Sequence, residues 1–175
     1  DGARFVFTNL DNSNLLDRIE LSNNNLAGTD LSNISLKGKD LSGANLSFID
    51  LSEHDLTGTN LTGANLSHTK ISKESLKGKD LSGTNLSYVD LSENDLTGTN
   101  LSNSILWRTN LSGTDLSSTT LINVISRYAN LSESNLPDSL INNNFNLAKL
   151  TNVNFAGKDL TGSSFERVEL EGSDM

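Results

Sequence analysis

The sequence predicts an all-β chain wound into a parallel coil with four sides per turn, about eight coils of twenty residues in 175. Two observations carry that prediction. Leu or Ile stands at every fifth position from Leu16 to Leu121 without a gap. A longer repeat is superposed on the first: residues 36–61, LKGKDLSGANLSFIDLSEHDLTGTNL, match residues 76–101, LKGKDLSGTNLSYVDLSENDLTGTNL, at all but four positions. Self-similarity of this kind decides the architecture before any single element is assigned.

The five-residue period excludes the two ordinary elements. An α-helix advances about 100° per residue, so a step of five spreads the leucines around the cylinder instead of gathering them on one stripe. A straight strand alternates faces at every residue, so an odd step sends neighbouring leucines to opposite faces. If the backbone turns in the same sense after each five residues, every Leu points at one axis. Forty residues then make two coils of four sides.

Each position of the unit suits its place in such a coil. Asp or Asn before the Leu, and Ser or Thr after it, belong at corners where short polar side chains bond nearby backbone. Gly two residues after the Leu permits a tight turn. Coils stacked at about 4.8 Å form a rod on the order of 40 Å long with leucine ladders inside. Leu41, Leu46, Leu51 and Leu56, with Leu81, Leu86, Leu91 and Leu96 in the second copy, form the expected core.

The unit A-(D/N)-L-x-x, seen in ANLSF, ANLSH and TNLSG, resembles the pentapeptide-repeat proteins over nearly the whole chain. That resemblance implies a right-handed quadrilateral parallel β-helix. It also implies that the central Leu or Phe and the residue two places before it both point inward. Lys39, Lys79, Lys158, His54 and Glu74 occupy that inner place where a small residue is expected. A buried unpaired ammonium costs several kcal/mol, so these side chains must lean out as the coil relaxes, or meet a partner, for Lys39 and Lys79 either Asp40 and Asp80 or a neighbouring coil.

Departures from the period mark expected seams within one domain over residues 1–175. The frame shifts at 15–16, leaving Phe5, Leu10 and Leu15 in a preceding register. It fails at 124–128, where Ser126 replaces the Leu, and shifts at 136–141 around Pro137. Leu140, Phe145, Leu150, Phe155, Leu160, Phe165, Leu170 and Met175 then carry it. Pro cannot donate to a ladder, which suits a bulge or corner at 137. The start at Asp1 and the absence of a polar cap after the last repeat lead to the expectation of a fragment of a larger protein.

Composition excludes several function classes. The net charge of −9 argues against direct nucleic-acid binding, which needs clustered Lys and Arg. The absence of cysteine removes disulfides and thiolate metal sites. No long apolar run or signal-like segment is present, so neither a membrane span nor an address is read from this chain. His54 and His68 are its two histidines, and its many Ser, Asp and Asn residues recur because the repeat does. No catalytic grouping, cofactor or metal site is therefore expected.

One outer column departs from the consensus. Steps of twenty from the second residue after Leu46 give Phe48, His68, Tyr88, Arg108 and Tyr128, where other sides carry Gly. Trp107 and Arg127 precede two members, and Ile49 and Val89 flank the column. Aromatic and Arg groups are enriched at protein interfaces, so these nine residues form the expected partner surface. An ordinary ladder in which Arg108 stacks between Tyr88 and Tyr128 is the competing reading. Glu53, Lys73 and Glu93 on the next side form an alternating charge ladder of structural character.

The expected function is a non-enzymatic protein-interaction or scaffold module, part of a bacterial secreted effector, in the bacterial cytoplasm or delivered to a host cell. The alternative comes from the resemblance, which includes acidic rods that mimic duplex DNA, bind DNA gyrase and protect it from quinolones. Lys37, Lys39, Lys70, Lys73, Lys77 and Lys79 interrupt the negative stripe that mimicry wants. The Phe-rich last coils leave room for an end-to-end homodimer, which the sequence does not require.

Overall fold

The computed structural model describes residues 20–174. The register of Phe5, Leu10 and Leu15, the seam at 15–16 and Met175 lie outside the described residues. Within them the chain is a β-helical solenoid. The unit Leu41–Asn45 shows why five residues repeat, because each of its backbone N–H groups has a fixed acceptor. Leu41 and Gly43 donate forward to the next coil, at the carbonyls of Asn60 and Thr62, and Asn45 donates back to Asn24 of the previous coil. Ala44 closes the corner on the Leu41 carbonyl at 3.0 Å. Ser42 N–H is left with no backbone acceptor, and the Asp40 carboxylate takes it at 3.0 Å. Buried amides must be satisfied, and here one side chain per unit completes the set.

Parallel pairing runs from coil to coil in steps of twenty, through Asn25, Asn45, Asn65, Asn85, Ile105 and Ile125 on one side. Most sides contribute a single paired residue. The exceptions are β1 (Asp50–Leu51) and β2 (Lys70–Ile71), which pair Asp50 with Lys70 and Leu51 with Ile71. Four columns of central residues follow, here named by their members in one coil as the first (Leu41), second (Leu46), third (Leu51) and fourth (Leu56) sides. All eight core leucines named from the sequence are at most 2% exposed. Full burial of a Leu side chain contributes roughly 1.5–3 kcal/mol, so this ladder is the main apolar term.

The inner place two residues before the first-side leucine shows what replaces a small residue. Thr59 and Thr99 donate their hydroxyls to the carbonyls of Leu36 and Leu76 in the preceding coil, at 2.7 and 2.8 Å. Lys79, between them in the column, sends its ammonium to the equivalent carbonyl of Leu56 at 2.5 Å. Lys158 does the same at Leu136, 2.7 Å away. The neighbouring-coil partner of Lys79 is thus a carbonyl and not the Asp80 carboxylate. Burial lowers the Lys79 pKa, opposed in part by the nearby Asp55.

His54, Glu74 and Asn94 occupy the same inner place before the fourth-side leucines, and there the coil relaxes. Glu74 is exposed and His54 half-buried. Asp95 N–H turns to the Lys73 carbonyl, and the Asn94 amide donates to Ser72 O at 2.8 Å. His54 and Asn94 keep the corner bond, to Leu51 O and Leu91 O at 3.1 and 3.0 Å, whereas in the Glu74 unit Ser75 N–H turns to Ser72 O at 3.3 Å.

The seams differ from the expectation in one case. At 124–128 the ladder is unbroken, since Ile105 pairs with Ile125 and Asn110 with Asn130 at the usual step. Ser126 simply occupies the leucine place, 2% exposed, between Leu106 and the large buried Phe145 in its column. Volume missing at one level is matched by volume added at the next. At 136–141 the step does shorten, because Ile125 pairs with Asn144 and Asn130 with Lys149 before Ser139 and Asp159 resume the step of twenty. Leu136 and Leu140 enclose a corner one residue short, and Pro137, buried there, has no N–H that needs an acceptor.

Corner carboxylates are held ionised. Ser52 chiefly, through its hydroxyl and N–H, and then Lys70, lower Asp50 to about 2. Thr57 and then Lys37 do the same for Asp55. A carboxyl whose folded pKa is depressed lends stability above its ordinary value and withdraws it as pH falls toward the folded one. The urea midpoint should therefore be flat from neutrality down to about 4 and fall between 3.8 and about 2, with a shallower fall in Asp50→Asn. Urea titrations across that range check this. Lys79→Thr should be at least as stable as the parent, because it keeps a donor for Leu56 O without a half-buried charge. Lys79→Ala should lose about 1 kcal/mol, read from the same midpoints.

Candidate partner-binding face

The second-side corner places five non-glycine residues in the left-handed backbone region: Phe48 (φ 62°), His68 (58°), Tyr88 (62°), Arg108 (57°) and Tyr128 (60°). Neighbouring corners largely answer the same geometric demand with Gly43, Gly58, Gly63, Gly78, Gly83 and Gly98. A bulky residue there costs roughly 1–2 kcal/mol. The local turn would therefore select glycine, and something else selects ring and guanidinium groups.

These side chains stack along the axis. Phe48 and His68 lie 4.6 Å apart and nearly parallel at 8°, and His68 and Tyr88 lie 4.3 Å apart at 17°. Their separation follows the coil spacing of about 4.8 Å. Beyond Tyr88 the path changes. Trp107 meets Tyr88 edge-on at 4.9 Å and Tyr128 edge-on at 6.2 Å. The Arg108 guanidinium sits 5.4 Å from the Trp107 ring centre and 5.3 Å from that of Tyr128. Arg108 is thus sandwiched by Trp107 and Tyr128, not by Tyr88 and Tyr128. Phe48 remains 65% exposed, so the ridge is covered only in part.

Seven of the nine sequence-predicted surface residues line this face, and two do not. Ile49 and Val89 are 3% and 1% exposed and belong to the core. They stand two residues before Leu51 and Leu91, so they occupy the inner place, although they adjoin the column in sequence. Arg127 is exposed and lines a shallow cleft with Asn146, Leu147, Glu166 and Arg167.

The face also holds residues that the column of five omits. Ile105 and Ile125, 36% and 43% exposed, take the place before the central residue where Asp or Asn is usual. They widen the apolar strip beside Trp107 and Tyr128. Leu147 (φ 63°) and Arg167 (φ 55°) continue the left-handed column past the short corner. The isoleucines were visible as paired breaks in the Asp/Asn consensus. The other two appear once the column is stepped by nineteen across Pro137.

The remaining faces are electrostatically occupied. Lys70 bridges Asp50 at 3.1 Å, Lys37 bridges Asp55 at 3.1 Å, Lys77 bridges Asp95 at 2.7 Å, and Lys73 bridges Glu93. All are largely exposed pairs of modest energy. A cleft of about 700 Å³ beside the relaxed corner is lined by His54, Asp55, Glu74, Lys77 and Lys79 among others. Among the described residues no group of three or more His, Cys, Asp or Glu is placed to hold a metal ion. Nor is any helix there long and apolar enough to cross a membrane.

Coils of four five-residue sides stacked in parallel define a repeat protein of the β-helical solenoid class. The chain belongs to the pentapeptide repeat family: the Pentapeptide repeats model matches in 8 copies, over residues 40–73, 75–103, 95–125 and 144–175. Among solved structures it is similar to HetL of the cyanobacterium Nostoc sp. strain PCC 7120, described as involved in heterocyst differentiation regulation. The two are 26% identical over 98% of this chain and 91% of that one, with a TM-score of 0.46. Rfr23 of the cyanobacterium Cyanothece 51142 is 21% identical over 78% and 88%, with a TM-score of 0.24. Trypsin-treated QnrB1, a plasmid-mediated fluoroquinolone resistance protein, is 16% identical over 98% and 92%, with a TM-score of 0.31. No curated protein matches the chain.

Phe48 begins the ring column above Gly28 and has His68 as its ring partner. Such a pair is worth about 0.5–1.5 kcal/mol, no more than the left-handed strain it offsets. Phe48→Gly should therefore leave the unfolding free energy unchanged within about 1 kcal/mol or raise it slightly, as chemical denaturation will show.

Proposed function

We propose that the chain is a non-enzymatic protein-interaction module, a right-handed four-sided solenoid of about eight coils that presents its second side to a protein partner. The observation that carries this reading is the run of left-handed Phe48, His68, Tyr88, Arg108 and Tyr128 on one face. Strain held at five successive coils, where glycine would remove it, favours selection for what the surface does. Ring and guanidinium groups, partly exposed in a continuous strip, are the side chains that dominate protein interfaces.

The side chains that would perform catalysis have structural work already. Corner Asp and Asn residues accept backbone N–H groups, inner Thr hydroxyls donate to carbonyls, and the His68 ring is stacked between Phe48 and Tyr88. Duplex-DNA mimicry draws less support, because it needs an uninterrupted negative stripe. Here Asp50, Asp55, Glu93 and Asp95 are each neutralised by a lysine.

A photo-crosslinking amino acid placed at Tyr88 should capture a protein in cells, and the same group at Ser102 on the first side should not. Equal capture at both positions, or capture from Ser102 alone, would overturn the assignment of the face.

A further inference from the structure

The charge on this face differs from that of the chain as a whole. The chain has 22 carboxylates against 13 Lys and Arg, whereas residues 96–137 have Asp115 and Glu133 against Arg108 and Arg127, a balance of zero. Along the second side, none of the residues flanking the central column from Asn25 to Leu147 is a carboxylate; the next unit carries Glu166, which accepts from the Asn146 amide and leaves the cleft with two guanidinium groups against one carboxylate. Arg108, Arg127 and Arg167, the three arginines among the described residues, all stand on that side. Lys149 follows on the adjacent corner and is exposed. Ile105, Ile125 and Tyr128, each at least 36% exposed, lie within this basic frame.

Resting on the reading of this face as a protein-binding surface, we infer that its partner is an acidic segment of another protein carrying a bulky apolar anchor. The anchor settles on Ile105, Trp107, Ile125 and Tyr128. Its flanking carboxylates meet Arg108 and the Arg127–Arg167 cleft, where a guanidinium binds a carboxylate in a two-pronged arrangement. Ring geometry favours the same partner. In the stacked part of the column the faces of His68 and Tyr88 are engaged with each other, so edges point outward. Ring edges carry the positive end of the quadrupole and favour carboxylate or carbonyl oxygen. Between Phe48 and Tyr88 the occupied faces also leave no slot for an intercalating nucleobase. On the other three sides the exposed corner carboxylates Asp80, Asp90 and Asp115 disfavour an acidic segment.

The test uses the full chain and three fluorescein-labelled peptides of identical pattern, Leu and one Trp alternating with Glu, with Gln or with Lys. Fluorescence anisotropy is read at low and at physiological salt. The Glu peptide should bind, the Gln peptide should bind about tenfold more weakly, and Arg127→Glu with Arg167→Glu should weaken the Glu peptide about tenfold while strengthening the Lys peptide. Ile125→Ser, on a surface position that leaves the fold intact, should weaken both the Glu and Gln peptides. Equal binding of Glu and Gln peptides would overturn the acidic partner and leave the face standing. Tighter binding of the Lys peptide by the parent, or equal retention of an oligothymidylate, would overturn the partner class. Absence of binding by all three peptides, or indifference of all binding to Ile125→Ser, would overturn the face as well.

Discussion

A backbone amide that finds no acceptor within its own coil must find one on the coil beside it, and most of this molecule follows from that need. Five-residue sides let Leu41 and Gly43 reach forward, Asn45 reach back and Ala44 close the corner. One N–H remains, and the Asp or Asn that stands before most of the leucines takes it, as Asp40 does from Ser42. That side chain then gains a second duty as its oxygen also accepts from the Asn one coil further on, as Asp80 does from Asn100 at 3.0 Å. The leucine ladder supplies the apolar energy, but the amides set the period at which leucine must return.

The same constraint explains which surfaces are free to vary. Asp, Asn, Ser and Thr at most corners are bound into backbone bonds, so those faces repeat with little change. The third residue of the corner uses only its own N–H, which for Tyr88 goes to Trp107 O at 3.0 Å. Its side chain is therefore available once the left-handed strain is met. Between the two near-identical segments the four differences are Ala44 and Thr84, Phe48 and Tyr88, Ile49 and Val89, and His54 and Asn94. A ring is retained at the strained corner although glycine would fit better.

Much of the fold was legible because a five-residue period maps every residue type to one side of the coil. The outer column of rings and Arg108 was legible for the same reason. Ile49 and Val89 adjoin the column along the chain but not on the surface, because the inner position two before the leucine governs them. Ser126 suggests a break only while leucine is taken as the sole occupant of its place; packing against a larger neighbour removes the need. The acceptor of Lys79 was hidden since a backbone carbonyl has no sequence signature. Leu147 and Arg167 were hidden by the one-residue shortening at Pro137, which displaces every later column from a fixed count of twenty.

The ladder bonds join each coil to the next, so they lie roughly along the solenoid axis. A pull on the two ends of the chain would meet these bonds coil by coil in series instead of loading them all at once in shear. Each coil advances the solenoid by about 4.8 Å, yet its twenty residues reach about 70 Å when drawn out. Under tension the molecule would behave as a stepwise extensible tether, paying out chain from one end while the coils still wound keep their face intact.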